Sequence, residues 1–493
     1  MRNLPEMKIG IVAVSRDCFP AQLSERRKKA LLAACSERNL PVVDIPTIVE
    51  NEVDAMHALD ALRASGANAL AIFLGNFGPE GPTSLLAQRF DGPTMLAAAA
   101  EEGADKLVGD RGDAYCGMLN ASYNLGLRGV RAHVPEYPVG TADEVAEMIA
   151  DFVPVARVVA GMRRLKIFAF GPRPQDFLAC NAPIKPLYDL GVEVMENSEL
   201  DLYDVFRSAE GHPDVPAVAA DMAKELGEGN AYPDLLPKLA QFEVGLLDFM
   251  EKNLGAAQFG VFADKCWPAF ENYFGFVPCF VNSRLAARGI PVACETDIYG
   301  ALSEYAATCA TALPATLLDV NNTVPRDMYD AAGNLVEGYA PTDLFMGFHC
   351  GNTCSSCMVC PSMKYQLIMH RLMEPEKEPD VTRGTLEGRI RPGDVTLFRL
   401  QSTAEATLKA YVAEGEVLDV DPKSFGSIGV FAVPEMGRFY RHVLIGHRFP
   451  HHAAIAFDKA GKTLFAALRL LGTEQPFVNL PKTMRYPGEN PFV

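Results

Sequence analysis

The stretch LKIFAFGPRP, residues 165–174, decides the organisation of the chain, because a strand pattern starts there for a second time. An apolar run that ends in a Gly/Pro turn is typical of a buried strand in a parallel sheet. The first run of this kind is KIGIVAVS, residues 8–15. Between the two runs, strand-like segments alternate with helical patterns at 23–39, 52–65 and 142–162. This alternation predicts an α/β domain over residues 1–164.

The pattern that restarts at residue 165 predicts a second α/β domain, extending to residue 340. Three of its strand-like runs end in polar residues: FGVFADKCWP (259–268), PVACETDIYG (291–300) and ATLLDVNN (315–322). In open parallel sheets, ligands bind beyond the carboxyl ends of the strands. We therefore expect the chemistry of the protein at these polar ends.

The last third of the chain, residues 341–493, has a different pattern. TLEGRIRPGDVTLFRLQST and TLKAYVAEGEVLDV are strand-like, with Gly and Pro-Gly punctuation and no helical pattern between them. Such segments indicate a small antiparallel sheet or barrel. Two helical stretches follow, near residues 436–445 and 461–471. The predicted fold class is α/β, with two Rossmann-like doubly wound parallel-sheet domains followed by a smaller antiparallel β-barrel-like domain with helices.

Composition and charge exclude several classes of partner. The chain has 493 residues and a net charge of -17, whereas nucleic acids and anionic membranes call for a basic surface. Its longest apolar runs are far shorter than the roughly 20 residues that cross a bilayer. The N-terminal apolar run is followed by no small-residue cleavage site, so it is interpreted as a strand rather than a signal peptide. We expect a cytoplasmic protein.

Acidic residues follow two of the strand-like runs. Glu295 and Asp297 come directly after PVAC, and Asp319 ends ATLLD. If these are adjacent parallel strands, Glu295 and Asp319 lie side by side at one sheet edge. Paired carboxylates suit Mg²⁺ or Mn²⁺. The alternative is that they only cap the helices that follow.

Four of the nine histidines lie close together near the C-terminus. They are His442, His447, His451 and His452, in RHVLIGHRFPHH. Histidines in a loop next to proline can bind a metal or exchange protons. A solvated histidine-rich turn is the alternative.

Four cysteines also cluster, in the stretch FHCGNTCSSCMVCP, residues 348–361. Cys350, Cys354, Cys357 and Cys360 are spaced C-x₃-C-x₂-C-x₂-C-P. Tight cysteine runs that end in Cys-Pro occur in iron–sulfur proteins. A structural zinc site normally uses two pairs separated by a longer loop. The other interpretation is a set of reduced thiols in or near a substrate loop.

A longer stretch carries a resemblance to a known family. CWPAFENYFGFVPCFVNSRLAARGIPVACETDIYGAL (266–302), followed by LLDVNN, resembles the L-fucose isomerase and L-arabinose isomerase family of metal-dependent aldose–ketose isomerases. The resemblance implies that Glu295 and Asp319 bind a divalent ion, Mn²⁺ or Mg²⁺, and act as the acid/base pair. It implies His452 as the third ligand. His349 is a further candidate, as a metal ligand or a substrate contact.

Four other residues are candidate contacts for a monosaccharide substrate. Trp267 could stack on a sugar ring or pack in the core, and Lys265 could polarise a substrate oxygen or be solvated. Asn76 and Arg111 lie in the Gly-rich loops GNFGPEG and GDRGDAYCG, which look like loops of that family. There, such loops reach the active site of a neighbouring subunit, which implies a homotrimer or homohexamer with active sites near subunit interfaces.

A second hypothesis keeps the fold but not the reaction. In it, the protein binds a sugar without isomerising it, or senses redox state through a metal or iron–sulfur cluster held by Cys350–Cys360. The two carboxylates count against this hypothesis, because a binding module has no need of two buried acids around a metal.

Overall fold

The computed structural model describes residues 3–492, which divide into two compact units. The N-terminal unit consists of Pro5–Ala160 together with Ala466–Gly472. The C-terminal unit contains Gly161–Phe465, the described residues from Thr473 onward, and residues 3–4.

The N-terminal unit is an α/β domain, as the sequence predicts. Its strands are β1 Ile9–Val14, β2 Val42–Asp44, β3 Ala69–Leu74, β4 Thr94–Ala99 and β5 Val139–Gly140. Its helices are α1 Ala21–Glu37, α2 Glu52–Ser65, α3 Glu80–Arg89, α4 Ala114–Leu127 and α5 Ala142–Met162. The strands form one parallel sheet in the order β2-β1-β3-β4-β5. Every residue of β1, β3 and β4 is buried, as expected for a parallel sheet covered on both faces.

Helix α2 shows how local sequence sets the helix ends. The side-chain oxygen of Asn51 accepts hydrogen bonds from the backbone N–H groups of Val53 and Asp54. These bonds satisfy N–H groups that have no partner within the helix. The helix ends before Gly66, whose φ of 72° is a left-handed conformation that glycine adopts without a steric cost. The predicted range 52–65 is therefore confirmed.

The C-terminal unit begins with a second parallel sheet. Its strands are β6 Leu165–Gly171, β7 Glu193–Ser198, β8 Phe259–Ala263 and β9 Val292–Ala293, in the order β7-β6-β8-β9. Its helices are α6 Lys185–Asp189, α7 Glu199–Ser208, α8 Val215–Leu226, α9 Leu236–Asn253, α10 Phe270–Phe274, α11 Cys279–Ala287 and α12 Ile298–Thr311. Buried aromatic side chains, Phe168, Phe242 and Phe262 among them, fill its core. This sheet confirms the second α/β domain.

The remaining strands form a nine-stranded sheet that closes into a barrel. They are β10 Ala315–Asn322, β11 Leu344–His349, β12 Met358–Tyr365, β13 Arg383–Ile390, β14 Gly393–Ser402, β15 Leu408–Leu418, β16 Ser427–Ala432, β17 His452–Ala456 and β18 Phe477–Val478. Six of them pair antiparallel in a ring, β16-β11-β10-β17-β14-β15, and β15 pairs back to β16. The helices here are α13 Arg326–Ala332, α14 Leu367–Met373, α15 Met436–Phe439 and α16 Gly461–Leu471. The predicted antiparallel barrel is confirmed.

One strand prediction is wrong. ATLLDVNN does form a strand, β10, but it does not join the parallel sheet of β9. It pairs antiparallel with β11 and β17 in the barrel, although it lies upstream of residue 341. A short apolar run has the same pattern in a parallel and an antiparallel sheet, so the sequence does not identify its partner. Glu295 and Asp319 therefore come from two different sheets.

No helix within residues 3–492 is long and apolar enough to cross a membrane.

Candidate active site

Glu295 lies at the carboxyl end of the central parallel sheet. It follows β9 in a short turn, Cys294–Thr296, and its φ of 57° is left-handed. That conformation costs a residue with a side chain about 1 kcal/mol and occurs most often at functional sites. The Oε2 atom of Glu295 is buried and has no hydrogen-bond partner. A buried carboxylate oxygen without a partner is costly unless something binds it.

Asp319 and His452 are brought together by the barrel. They lie directly opposite each other on β10 and β17, so their side chains share one face of the sheet. The Nε2 atom of His452 lies 3.4 Å from Oδ1 of Asp319 and 3.4 Å from Oε2 of Glu295. The two carboxylates therefore meet at one imidazole nitrogen, and not at the edge of one sheet as expected.

Asp297 and Arg399 fix the orientation of His452. The Nδ1 atom of His452 lies 2.8 Å from Oδ2 of Asp297, so Nδ1–H donates to that carboxylate and Nε2 is the nitrogen that faces Glu295 and Asp319. Asp297 in turn receives two hydrogen bonds from the Arg399 guanidinium, at 2.6 and 2.9 Å. The Arg399 guanidinium also donates to Gln401 Oε1 at 2.6 and 3.0 Å. This chain of contacts holds His452 in the tautomer that a metal ligand requires.

Neighbouring basic side chains lower the pKa values of two buried carboxyl groups in the site. Burial would raise the pKa of Asp297, but the positive charge of Arg399 and the His452 hydrogen bond lower it below the usual range. Burial would also raise the pKa of Glu295, but the nearby imidazoles of His349 and His452 lower it. Both carboxylates are therefore negatively charged at neutral pH.

Asp264 is a further carboxyl at this sheet edge, and the sequence analysis did not select it. It follows β8 and is buried, with its oxygens accepting from Asn282 Nδ2 at 3.2 Å. Burial, together with the negative charge of Glu295, raises the pKa of Asp264 to about 7, against the effect of the Asn282 bond. Unlike Glu295, Asp264 is partly protonated near neutral pH.

His349 ends β11 and faces Glu295 from the barrel. Its Nδ1 atom accepts a hydrogen bond of 2.9 Å from the backbone N–H of Cys350. In a neutral imidazole the proton is then on Nε2, which lies 3.8 Å from Glu295 Oε2. His349 is thus arranged to donate a hydrogen bond, whereas His452 is arranged to donate an electron pair.

Aromatic side chains line one side of the site. The ring of Phe177, from the loop after β6, lies 5.4 Å from the ring of His451 and 6.2 Å from that of His452. Trp267 packs edge-on against Phe177 at 6.4 Å and remains partly exposed. The stacking of Trp267 on a sugar ring stays a prediction. His451 also approaches Asp319, with its Nε2 atom 3.5 Å from Oδ1.

Lys265 lies at the end of β8, next to Asp264. Its side chain is buried, and its Nζ atom lies 3.1 Å from Oε2 of Glu199. The alternative of a solvated lysine is therefore wrong, because burial of an ammonium group requires a partner of this kind. Its contact with a substrate stays a prediction.

Asn76 and Arg111 both belong to the N-terminal unit. The Asn76 amide donates to Ser15 Oγ at 2.9 Å and to the Pro20 carbonyl at 3.4 Å, and its oxygen accepts from the N–H groups of Arg16 and Gly78. These four bonds use the full capacity of the amide, which favours a structural role in the loop. Arg111 is 61% exposed and pairs with Asp113 at 2.8 Å. Its contact with a substrate stays a prediction.

The histidine cluster divides into two pairs. His442 stacks on Tyr486, and His447 stacks on Phe477 at a ring separation of 3.7 Å. Only His451 and His452 approach the carboxylates. Neighbours in the sequence therefore separate in the structure, because His442 and His447 pack on aromatic rings whereas His451 and His452 face Asp319.

The cysteine run lies beside the site. Among the described residues, none of the convergent sets of metal-binding side chains includes Cys350, Cys354, Cys357 or Cys360. Cys354 and Cys357 share one turn, and the hydrogen bond between their thiols lowers the pKa of Cys354 and raises that of Cys357. Cys360 is exposed. This arrangement favours reduced thiols.

Metal-binding groups converge around His452. Three sets of donor atoms lie within 4.8 Å of one another: Cys180, Asp297 and His452; Cys294, Glu295 and His349; and Asp319, His451 and His452. Glu295 and Asp319 fall in different sets and are linked through Nε2 of His452. Nε2 of His452, flanked by two carboxylates of which one has an unpartnered buried oxygen, fits a hard divalent cation.

The sequence analysis did not assign a role in the site to Asp297 or Arg399, because the sequence gives little indication of it. Asp297 is two positions from Glu295, but an acid before a helix is also expected as a cap, and its Oδ1 does accept from Gly300 N–H. Arg399 is a charged residue on a strand whose last eight positions are all buried. A charge inside such a strand indicates a buried partner, but the sequence does not show which one.

Two protein-family models match separate parts of the chain. Residues 10–163 match the family described as fucose/sulfoquinovose isomerase, N-terminal domain, and residues 347–476 match L-fucose isomerase, C-terminal domain. A sulfoquinovose isomerase of Alkalicoccus urumqiensis is 27% identical over 66% of this chain and 68% of its own length. Proteins of the same name from Clostridium sp. strain MSTE9 and Priestia aryabhattai are 26% and 23% identical, over 71% and 69% of this chain and 73% and 71% of their own lengths.

Proposed function

The chain is a sugar isomerase of the L-fucose isomerase-like family, and from this premise we propose that it interconverts an aldose and its ketose with a divalent metal ion held by Glu295, Asp319 and His452. The observation that carries this proposal is the buried, unpartnered Oε2 of Glu295, which lies 3.4 Å from the free nitrogen of His452. Mn²⁺ is the ion that we expect, with Mg²⁺ as the alternative, because the donors are two carboxylates and one imidazole.

The reaction requires a proton to move between C2 and C1 of the sugar. When bound, the metal supplies Lewis-acid stabilisation of the charge that develops on the sugar oxygens. The carboxylates of Glu295 and Asp319 lie on two sides of His452, so one of them can remove the proton and return it to the adjacent carbon. His349 presents an N–H group beside Glu295 and is placed to donate to a sugar oxygen.

The substrate that we propose to test first is sulfoquinovose, because the relatives from three organisms are named for it. L-Fucose is the second, because the C-terminal match is to the L-fucose isomerase family. The partly exposed Trp267 provides an aromatic surface against which a sugar ring can pack.

The test is an NMR assay of purified protein with added Mn²⁺ on both sugars and on a panel of pentoses, hexoses and deoxy-sugars. We expect conversion of one aldose to its ketose, lost on chelation and restored by Mn²⁺. Glu295→Gln should lower kcat by about 10²–10⁴-fold. A matched control is Glu304→Gln, since Glu304 is also buried and burial raises the pKa of its carboxyl group. No conversion of any sugar, or full activity of Glu295→Gln, would contradict the proposal.

A further inference from the structure

Cys354 and Cys357 are the two ends of one tight turn in the C-terminal unit. The backbone N–H of Cys357 donates to the carbonyl oxygen of Cys354 at 2.9 Å, and Ser355–Cys357 form a single helical turn. The first and last Cα atoms of such a turn lie within about 7 Å of each other. A disulfide joins Cα atoms that are about 4.4–6.8 Å apart. The backbone thus places two free thiols where a disulfide can form between them.

The next pair in the cysteine run has the same spacing but a different backbone. Cys357 and Cys360 are also separated by two residues, Met358 and Val359, which belong to β12 and pair with β13. Three steps along an extended strand separate two Cα atoms by roughly 10 Å. That distance is too long for a disulfide. Of the two C-x₂-C pairs, only Cys354 and Cys357 are therefore placed to form one.

Neighbouring groups favour the thiolate form of Cys354. Hydrogen bonds from the Cys357 thiol and from Ser356 Oγ, which lies at 3.1 Å, lower the pKa of Cys354 to about 6. They outweigh burial and the negative charge of Glu225, which act in the opposite direction. The hydrogen bond between the thiols raises the pKa of Cys357. A thiolate is the nucleophilic form of cysteine, and a neutral thiol beside it can complete a disulfide.

We propose that Cys354 and Cys357 are a redox-active pair, in which a peroxide oxidises Cys354 and Cys357 then completes a disulfide. In the first step, the Cys354 sulfur attacks one oxygen of hydrogen peroxide and the O–O bond breaks. The leaving hydroxide takes a proton from solvent and becomes water, while Cys354 becomes a sulfenic acid. In the second step, the Cys357 sulfur attacks the Cys354 sulfur and the S–O bond breaks. The leaving hydroxide takes the proton of Cys357, so the two sulfurs lose two electrons and the peroxide gains them.

The turn is held in place, and its position favours a small oxidant. Ser355 Oγ donates to Glu225 at 2.6 Å, and Arg391 Nε donates to the carbonyl oxygen of Ser356 at 2.8 Å. Ser356 is exposed, whereas Cys354 is only 2% exposed. Hydrogen peroxide is little larger than water, so it can reach a sulfur that one exposed residue covers. A bulky disulfide reagent cannot, which is why we propose a peroxide as the oxidant.

The turn continues the segment that carries His349. The backbone N–H of Cys350 holds Nδ1 of His349 at 2.9 Å, and Oγ1 of Thr353 shares a hydrogen bond of 2.9 Å with Oγ1 of Thr316 on β10. Residues 351–354 are all buried. A close-packed segment of this kind transmits a displacement instead of absorbing it. A covalent bond draws the two sulfurs closer together than a hydrogen bond does, so we expect oxidation to move His349.

The first experiment counts thiols and locates the bond. Reduced full-length protein is treated with one equivalent of hydrogen peroxide, denatured and alkylated. We expect the loss of two of its twelve cysteine thiols, restored by dithiothreitol. Mass spectrometry of peptides should identify a disulfide between Cys354 and Cys357. The matched variant Cys360→Ser should behave as the wild type. Absence of a disulfide in the wild type, or a disulfide that includes Cys360, overturns the proposal.

The second experiment tests which cysteine reacts with the peroxide. Cys357→Ser leaves the sulfenic acid of Cys354 without a second thiol, so dimedone should label Cys354 after treatment with peroxide. In Cys354→Ser, dimedone should label Cys357 on the order of tenfold less, because the remaining cysteine is a neutral thiol. Circular dichroism of both variants shows that they are folded. Equal labelling of the two variants, or no labelling of either, overturns the assignment of Cys354 as the nucleophile.

The third experiment tests the link to His349. Hydrogen–deuterium exchange in peptides that span residues 349–353 should differ by about twofold or more between reduced and oxidised wild type, and not at all in Cys354→Ser/Cys357→Ser. A disulfide that leaves this exchange unchanged overturns the link. Oxidation should also lower kcat by about 10–100-fold at unchanged Mn²⁺ affinity, an expectation that rests on the proposed function. A protein that forms the disulfide but isomerises no sugar contradicts the proposed function and not the redox pair.

Discussion

Nδ1 of His452 lies 2.8 Å from Oδ2 of Asp297, and both side chains are buried. This hydrogen bond selects the tautomer of His452 whose Nε2 is free, and partners of this kind contribute to metal affinity. Asp297→Asn should therefore weaken Mn²⁺ binding by about 10–100-fold. Electron paramagnetic resonance of free Mn²⁺ measures this directly. Glu304→Gln, a change to another buried acid of α12, should leave the affinity unchanged. If both variants bind Mn²⁺ equally well, Asp297 does not act through His452.

Arg399 should be important for stability because it is the charged partner of Asp297. Both side chains are fully buried. Arg399→Met leaves a buried carboxylate without its cation and should destabilise the protein by about 3–5 kcal/mol. Adding Asp297→Asn removes the unpaired charge, so the double variant should be more stable than Arg399→Met alone. Urea unfolding of the four proteins in this cycle gives the coupling energy. Additive losses would contradict a direct pairing.

His349 and His452 should differ in their effects on metal binding and catalysis. His349 donates through Nε2, so His349→Phe should lower kcat by about 10²-fold and leave Mn²⁺ affinity within about threefold. His452→Phe should abolish Mn²⁺ binding. Titration calorimetry with Mn²⁺ and a sugar assay separate the two effects. Loss of Mn²⁺ binding in His349→Phe would restore the interpretation of His349 as a metal ligand.

Glu271 should make stability depend on pH. Burial, with smaller contributions from the negative charges of Glu199 and Glu374, raises the pKa of Glu271 to about 8. Between pH of about 4.5 and 8, the unfolded chain binds fewer protons at this site than the folded chain. The free energy of unfolding is therefore not reduced by Glu271 below a pH of about 4.5, and it decreases as the pH rises from there towards about 8.

Glu271→Gln should remove this dependence, since both oxygens of Glu271 lack hydrogen-bond partners and glutamine carries no charge. We expect the melting temperature of the variant to exceed that of the wild type by about 2–5 °C at pH 8. The difference should be smallest at pH 4.5. Differential scanning calorimetry at both pH values measures it. A difference independent of pH would show that Glu271 does not titrate in this range.

The cysteine run should be dispensable for metal binding. Its four thiols belong to none of the convergent donor sets. A variant with Cys354→Ser and Cys357→Ser should keep the wild-type metal content, measured by elemental analysis. Anaerobically purified wild-type protein should have no absorption band near 400 nm. A band there, lost in the variant, would support an iron–sulfur cluster.

The sequence predicts those features of the fold and the site that are determined by residues close together in the chain. The range of α2 follows from Asn51 and Gly66, which set its two ends locally. Glu295 was selected because polar residues follow buried strands, and it does lie in the turn directly after β9. The partner of β10 depends instead on residues 452–456, more than a hundred positions away, which no local pattern encodes. Arg399 and Asp297 were missed for the same reason, because only the folded chain shows that two distant charges pair.

The position of β17 in the barrel affects when the site can form during synthesis. This strand fills the place between β10 and β14, although it is made after both. On the ribosome, the ring therefore stays open until residue 456 has been translated. The strand that closes the ring also carries His452. A nascent chain consequently acquires the imidazole that we propose as a metal ligand in the same event as the last strand of the ring, and the proposed site can capture its ion only after that event.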